Sequence, residues 1–451
     1  MRGRMSALPI SPLTQTSGGR LMSLDTHKNP ICTVAAAILS AAIVSGLTAP
    51  AGAQCHQWTA MPITASSPYS YTPLAMIEFN GELYAARQGF LSIRWNGEEW
   101  VDGPLPPYTR AMFVHDGELY TGGHPGISRT VGGGANQWEL IGQLSNSNVH
   151  AIVEFEGDII VGGNFSQVDG VAASRIARWD GSQWQAIGDG FDDEVLALDV
   201  YNGKLVAGGS FTASGDTALS RIAQWDGESW SPLEFGVYGD HLAAVRAMTT
   251  FNGNLIVGGR FTHAGGITVN SIAKWNGSTW TSMDGGLPKT TVHPPVREIV
   301  HYRDSLIVVG TFLHVNNDTS MRYVARWRET PAYYGWSSIG EFSGGGGAFC
   351  ALGVNDDLYL GGQHTSINGD ASMKMISRWN DGAAIIKQQP QHTQVVEGGT
   401  VILEVQPSSG TVITYSWLRN GIPLSEQNNG NASGIVTLHP SATAGGGSGG
   451  R

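Results

Sequence analysis

Charge is scarce in this chain. Asp, Glu, Lys and Arg make up 14% of its 451 residues, and acids outnumber bases 37 to 26, leaving a net charge of -11. A surface so short of Lys and Arg argues against nucleic acid and anionic membrane as partners, since both attract cations. Cysteine is rarer, and three residues are too few for a disulfide framework. No window sustains an apolar period of 3.6, which argues against a helical core. Catalytic signatures are missing too. There is no G-x-S-x-G elbow, Cys350 has no fixed histidine partner in sequence, and no D-x-D-x-D-G run offers a local oxygen cage for calcium.

Glycine, by contrast, is abundant at 62 residues. Short runs of β-branched and aromatic residues recur between Asn-Gly and Asp-Gly pairs, which is an all-β pattern. One apolar stretch stands apart. Ile31 to Leu47 is rich in small residues, follows Arg20 and Lys28, and leads to Ala51-Gly52-Ala53, an A-x-A cleavage site. Residues 1–53 are therefore expected to be a signal peptide with an upstream extension, Met22 serving as the start. A spanning helix is the alternative, but a stretch of about 17 residues this rich in Ala and Ser is marginal. Gln54 before Cys55 breaks a lipobox. Export is expected, with cleavage after Ala53 and no membrane insertion afterwards.

The rest is organised around V-G-G-N-F-S…S-R-I-A-R-W-D-G-S-Q-W at residues 161–184, with close copies at 208–230 and 258–280. Each unit holds four strand-like runs, in the third unit Ala151–Phe155, Ile159–Val161, Arg175–Trp179 and Trp184–Ile187. Tight turns (Glu156-Gly157, Asp180-Gly181) join the first to second and third to fourth runs, and Asn-Gly or Asp-Gly copies suit two-residue hairpins because they tolerate positive φ. The diglycine recurs at Ala85-Ala86, Gly122-Gly123, Gly162-Gly163, Gly208-Gly209, Gly258-Gly259, Val309-Gly310 and Gly361-Gly362. Seven four-stranded units spaced by about 37 to 52 residues read as propeller blades.

The second tryptophan of each unit appears only at Trp100, Trp138, Trp184, Trp230, Trp280 and Trp336. The seventh unit ends at Trp379 without a fourth strand, while a spare one, His56 to Met61, sits at the mature N-terminus. Pairing of Gln57–Met61 with Met375–Trp379 would close the ring and leave no open edge. The diglycine and paired aromatics resemble the kelch and galactose-oxidase-like propeller superfamily. The closer pattern, G-G-x-F-(T/S)…S-x-I-A-x-W-(D/N)-G-x-x-W, is similar to repeats of secreted bacterial surface proteins and fungal cortical cell-polarity markers. The resemblance covers roughly 56–382 and implies a shared scaffold, not a shared activity. No copper-radical positions of the oxidases can be matched, and the turns lack the S-x-D-x-G-x-x-W spacing of sialidase Asp-boxes.

Residues 388–438 differ in kind. Glu397-Gly398-Gly399, Val401–Val405 and Tyr415-Ser416-Trp417 resemble the first half of an immunoglobulin-like sandwich, with Trp417 as its buried tryptophan. Too few residues follow to complete such a sandwich, so a truncated or frame-shifted product is expected, a disordered tail being the alternative. The expected fold is all-β: a seven-bladed β-propeller closed by an N-terminal strand, followed by an incomplete immunoglobulin-like β-sandwich. The domains are 1–53 signal segment, 54–383 propeller, 384–440 partial immunoglobulin-like domain and 441–451 Gly/Ser-rich tail.

Tryptophans repeating at blade period are expected in the core rather than as a sugar platform. Function should instead lie where the units differ, on the face carrying the long second-to-third-strand loops and the connections between blades, which include Gly236–His241 and Pro288–Pro295. The starts of the innermost strands align as Leu74, Arg110, His150, Leu196, Arg246, Arg297 and Cys350. Arg110, His150, Arg246 and Arg297 would then ring the channel mouth and dock a carboxylate or sulfate, unless Asp193, Glu194 and Glu298 simply neutralise them. His263, His314 and His364 are weak metal candidates, and neither metal nor cofactor is expected. Cys55 and Cys350 should be free thiols, being roughly 14 Å apart across three strands of about 4.8 Å spacing. The expected protein is an exported monomer that binds a glycan or protein at or outside the envelope without catalysis. The alternatives are an oxidase, lyase or glycosidase with its site at the channel mouth, and a spacer in a longer surface protein.

Overall fold

A computed structural model describes residues 32–38, 57–64, 72–89, 91–144, 147–288 and 295–380, and short strands between 401 and 438. The chain divides into two compact units, one of them His56–Lys387 with Pro407–Ser409. The described residues of that unit form seven four-stranded antiparallel sheets, with a single 3-10 turn, Thr319–Met321, as their only helix. Small two-stranded and three-stranded ribbons accompany them. The innermost strands neighbour one another in chain order, and Pro73–Phe79 of the first sheet also lies beside Ala348–Val354 of the seventh.

The third sheet shows why this sequence folds so. Val149–Phe155, Asp158–Gly163, Ile176–Trp179 and Trp184–Ala186 run from inside to outside. Phe155 pairs with Asp158 across Glu156 and Gly157, whose φ angles of 55° and 87° make the two-residue turn expected there. The first turn residue of every sheet has φ between 48° and 55°: Asn80, Asp116, Glu156, Asn202, Asn252, Arg303 and Asn355. The third-to-fourth connection differs from expectation. Trp179 pairs with Trp184, so the loop has four residues, Asp180 to Gln183. It is held by the Asp180 carboxylate accepting from the amides of Ser182 and Gln183, both at 2.9 Å.

The diglycine is required by close approach. A Cβ on Gly162 would lie 2.5 Å from Cγ1 of Val195 in the next sheet, and one on Gly163 would lie 2.1 Å from the Asn148 carbonyl. In the sixth sheet, where Val309 replaces the first glycine, the facing residue of the seventh sheet is Ala348 rather than valine. Strand register moves the equivalent pair of the first sheet to Ala86-Arg87, one residue after the expected Ala85-Ala86.

In the third to sixth sheets the outer-strand tryptophans are buried and fasten each sheet to the one before. Trp138 of the second instead donates to Ala135, and the buried indole nitrogen of Trp100 in the first has no partner among the described residues. The indole N–H of Trp184 donates to the Ile141 carbonyl, Trp230 to Ile187, Trp280 to Leu233 and Trp336 to Met283, at 2.6 to 3.2 Å. The seventh sheet takes its outer strand from Gln57–Ala60, with Trp58 opposite Trp379 as Trp184 is opposite Trp179. Trp58 donates to the Ile339 carbonyl at 2.7 Å, repeating the bond made by the others.

The second unit is Met1–Cys55, Gln388–Gln406 and Gly410–Arg451. Within it Val401–Val405 pairs antiparallel with Gly434–Leu438, and Ile413–Arg419 pairs with Ile422–Pro423. Cys32–Ile38, in the stretch expected as a targeting segment, forms a strand parallel to Ile413–Arg419. The packing role expected for Trp417, the cleavage site and Cys55 lie outside the described side chains. Among the described residues no helix is long and apolar enough to cross a membrane.

Candidate functional site at the channel mouth

Six of the seven innermost strands begin with an irregularity. Pairing skips one residue between Val149 and Ala151, leaving His150 as a β-bulge, and it skips Leu74, Leu196, Arg246 and Arg297 in the same way. Arg110 holds the matching position directly before Ala111–His115, its amide donating to the Gly122 carbonyl at 2.8 Å. In the seventh sheet the skipped residue is Phe349, between Ala348 and Cys350. The expected alignment was therefore off by one there. Counting six positions back from the first residue of the tight turn gives His150 from Glu156 and Phe349 from Asn355, and would have found it. Cys350 is a fully buried free thiol, and burial raises its pKa well above the usual range. A bulge re-aims its side chain, which is why such positions cluster at functional rims.

Arg110, His150, Arg246 and Arg297, contributed by four different sheets, act on one another electrostatically. Burial, then Arg110 and Arg246, lowers the pKa of His150 to about 4, so its imidazole is neutral at pH 7. Burial also pulls Arg297 down to about 10, with Arg246 adding to the shift. Arg246 is likewise lowered by burial, against an opposing pull from Glu194. Among the described residues no ion pair or hydrogen bond engages any of these three guanidinium groups. Arg297 packs its guanidinium over the Phe349 ring at 4.1 Å, and its Nε is buried without a partner. Nε2 of His150 is buried and unpartnered as well.

Of the three acids that could neutralise this ring, Glu194 accepts from the Asn164 amide at 3.5 Å and acts on Arg246 through space, while the other two bond locally. Glu298 accepts the Ala351 amide at 2.8 Å in the neighbouring sheet, and burial raises its pKa to about 7. Asp193 caps the amide of Glu194 at 2.7 Å. Three guanidinium groups without a hydrogen bond or ion pair among the described residues thus share one register with a neutral imidazole.

The three histidines considered for metal are not brought together. His263 sits on a ribbon strand, stacked on Tyr238 with ring centroids 4.8 Å apart. His314 is half-buried in the equivalent loop of the sixth sheet. His364 occupies the repeat's phenylalanine position. Its carbonyl accepts from Met375 as that of Phe165 accepts from Arg175, and its ring meets Phe342 edge-on at 5.6 Å. It is buried with both nitrogens unpartnered, and burial lowers its pKa to about 4. Among the described residues no group of three His, Cys, Asp or Glu could hold a metal ion. The long loops expected on this face carry ribbons, such as Gln167–Val168 with Val171–Ala172. Most of the Pro288–Pro295 connection lies outside the described residues.

Comparison with known proteins agrees with this architecture. Residues 135–294 match the family described as the Rax2 C-terminal beta propeller domain. The extracellular domain of a one-component system from B. thetaiotaomicron aligns with a TM-score of 0.52 at 6% identity, covering 74% of this chain and 41% of that one. The WD40 beta propeller domain of Doa1 aligns with a TM-score of 0.46 at 11% identity, covering 72% of this chain and 97% of that one. The chain thus spans less than half the length of the first of these. Curated proteins give no match. The chain contains a β-propeller domain.

Proposed function

We propose that the chain is an exported, monomeric, non-enzymatic binding protein whose propeller has seven blades and is closed by its N-terminal strand. Its channel mouth on the long-loop face takes an anionic group of a glycan or protein ligand. The observation that carries the binding reading is the convergence of Arg110, Arg246 and Arg297 at one register with no hydrogen bond or ion pair to any of them among the described residues, Glu194 acting on Arg246 only through space, beside unpartnered buried nitrogens on His150 and Arg297. Leaving a buried donor unpaired costs about 1–3 kcal/mol, more for charged groups, a cost that an anion seated at the mouth would offset. Export is supported by the signal-like segment before Ala53 and fits the extracellular setting of the B. thetaiotaomicron domain. The strands of 401–438 are read as the start of an immunoglobulin-like module.

Closure is supported by the pairing of Gln57–Ala60 with Ser377–Asn380 and by the Trp58 bond to Ile339. Deleting 54–62 should expose the seventh sheet's edge and give an aggregating product, and a monomer of unchanged melting temperature would contradict closure. Binding is tested by calorimetric titration of the full chain with acetate, sulfate, an oligo-uronate and a neutral glucan. Heat with the anions that is lost in an Arg246→Ala, Arg297→Ala double variant supports the site. Equal behaviour of both proteins toward every anion refutes it.

A further inference from the structure

We infer that the anion is the free C-terminal carboxylate of a polypeptide whose last residue is apolar, an inference that rests on the anion-binding reading of the mouth. The argument is the order of residues around the ring. Arg297, Phe349, Leu74 and Arg110 occupy the bulge register of the sixth, seventh, first and second sheets in turn. Because the first and seventh sheets are neighbours, the arc from Arg297 to Arg110 is filled by two half-buried apolar side chains. The mouth is thus not cationic all round: Phe349 and Leu74 form a half-buried apolar pair, while the other apolar position of the register, Leu196, is single and buried.

A uronate or sulfated sugar would press hydroxyls against Phe349 and Leu74, where nothing replaces the water they lose, at a cost of roughly 1–3 kcal/mol for each such group. A chain end meets both demands with one residue, a planar carboxylate for the guanidinium fork and a side chain for the apolar sector. Stacking on Phe349 holds the Arg297 guanidinium in a fixed plane, which favours a two-point bond to a planar carboxylate over contact with a tetrahedral anion. The unpartnered Nε2 of His150 offers one more hydrogen bond to the ligand. Leu242, just before the innermost strand of the fifth sheet, is 50% exposed and can meet residues that precede the chain end.

The test is fluorescence anisotropy of the full chain with dye-labelled six-residue peptides. The set is a free acid ending in leucine, the same peptide as its C-terminal amide and a free acid ending in serine, with an oligo-uronate as competitor. The leucine acid should bind at least about tenfold more tightly than the amide, a difference of ~1.4 kcal/mol, and several-fold more tightly than the serine acid. Arg297→Ala should abolish the acid preference, whereas Leu74→Ser should abolish only the leucine preference. Phe349→Ser should weaken both, because Phe349 also packs against the Arg297 guanidinium. Equal binding of acid and amide, or of leucine and serine acids, would overturn the inference. Binding of the uronate without binding of either peptide acid would overturn it while leaving the anion site intact, and binding of none would overturn both.

Discussion

The outer edge and the inner edge of each sheet are made by the same repeat, yet the chain treats them oppositely. At the outer edge Trp184, Trp230, Trp280, Trp336 and Trp58 are one residue type doing one job, an indole bonded to the carbonyl of the preceding sheet. At the inner bulge the seven positions hold leucine, arginine, histidine and phenylalanine, with no type fixed. Repetition marks packing, because the third to seventh sheets solve the same contact with the sheet before them. Variation at one geometrically fixed position marks the place where contact with the neighbour sets no demand and a ligand can.

The contrast is broken most severely at the outer edge. Trp230→Ala should cost about 3–5 kcal/mol, combining a buried cavity with a lost bond to Ile187, as read from urea denaturation at unchanged m-value. A cost below ~1 kcal/mol would show that these indoles are not structural.

Next in size is the seventh sheet, where a histidine takes the core position that Phe165, Phe211, Phe261 and Phe312 hold in the third to sixth. His364 stays neutral in the folded state down to about pH 4, whereas the unfolded chain protonates it near 6.5. Its contribution is therefore intact above pH 6.5 and is lost as the pH falls toward 4, on the order of 3 kcal/mol in all. His150 runs the same way, and Glu298, raised to about 7, runs the other way, losing stability as the pH rises from 4.5 to 7. The informative quantity is thus the stability difference between wild type and His364→Phe, measured at pH 7 and pH 4.5. That difference should widen in favour of phenylalanine at the lower pH, and a constant difference would contradict the buried neutral histidine.

Smaller again is the glycine contact. Gly258→Ala should cost about 1–3 kcal/mol, because its Cβ would lie 2.5 Å from Cγ1 of Val296. Adding Val296→Ala should recover part of the loss, following the Val309 and Ala348 pair that the sixth and seventh sheets already use. Failure of this rescue in thermal melts would mean that the diglycine is kept for backbone reasons alone.

Much of this architecture was legible because its signals are local. Asn-Gly turns, the W-D-G-x-x-W loops and a spare strand at Trp58 can each be read within a few residues, and pairing supplied the partner for the last. The mouth was legible in part. Arg110, His150, Arg246 and Arg297 follow from strand starts, but in the seventh sheet the strand start alone points to Cys350, and only the fixed distance of six residues to the turn at Asn355 identifies Phe349. His364 read as a metal candidate because its loop position was compared with His263, whereas its backbone bonds place it at the Phe165 position. The side-chain engagement of Glu298 with Ala351, which leaves the arginines free, comes from a neighbouring sheet, and no pattern within one repeat encodes it.

The most direct measurement of the central claim is the melting temperature of the full chain and of the Arg246→Ala, Arg297→Ala double variant, each with and without the leucine-ending peptide acid. Arginines held for a ligand, desolvated and set against one another, should stabilise nothing when the mouth is empty. The double variant should therefore melt at or above the wild-type temperature alone, while only the wild type gains from peptide, by about 2.7 kcal/mol at 100 times the dissociation constant. A double variant that melts well below wild type and responds to the peptide equally would contradict the account.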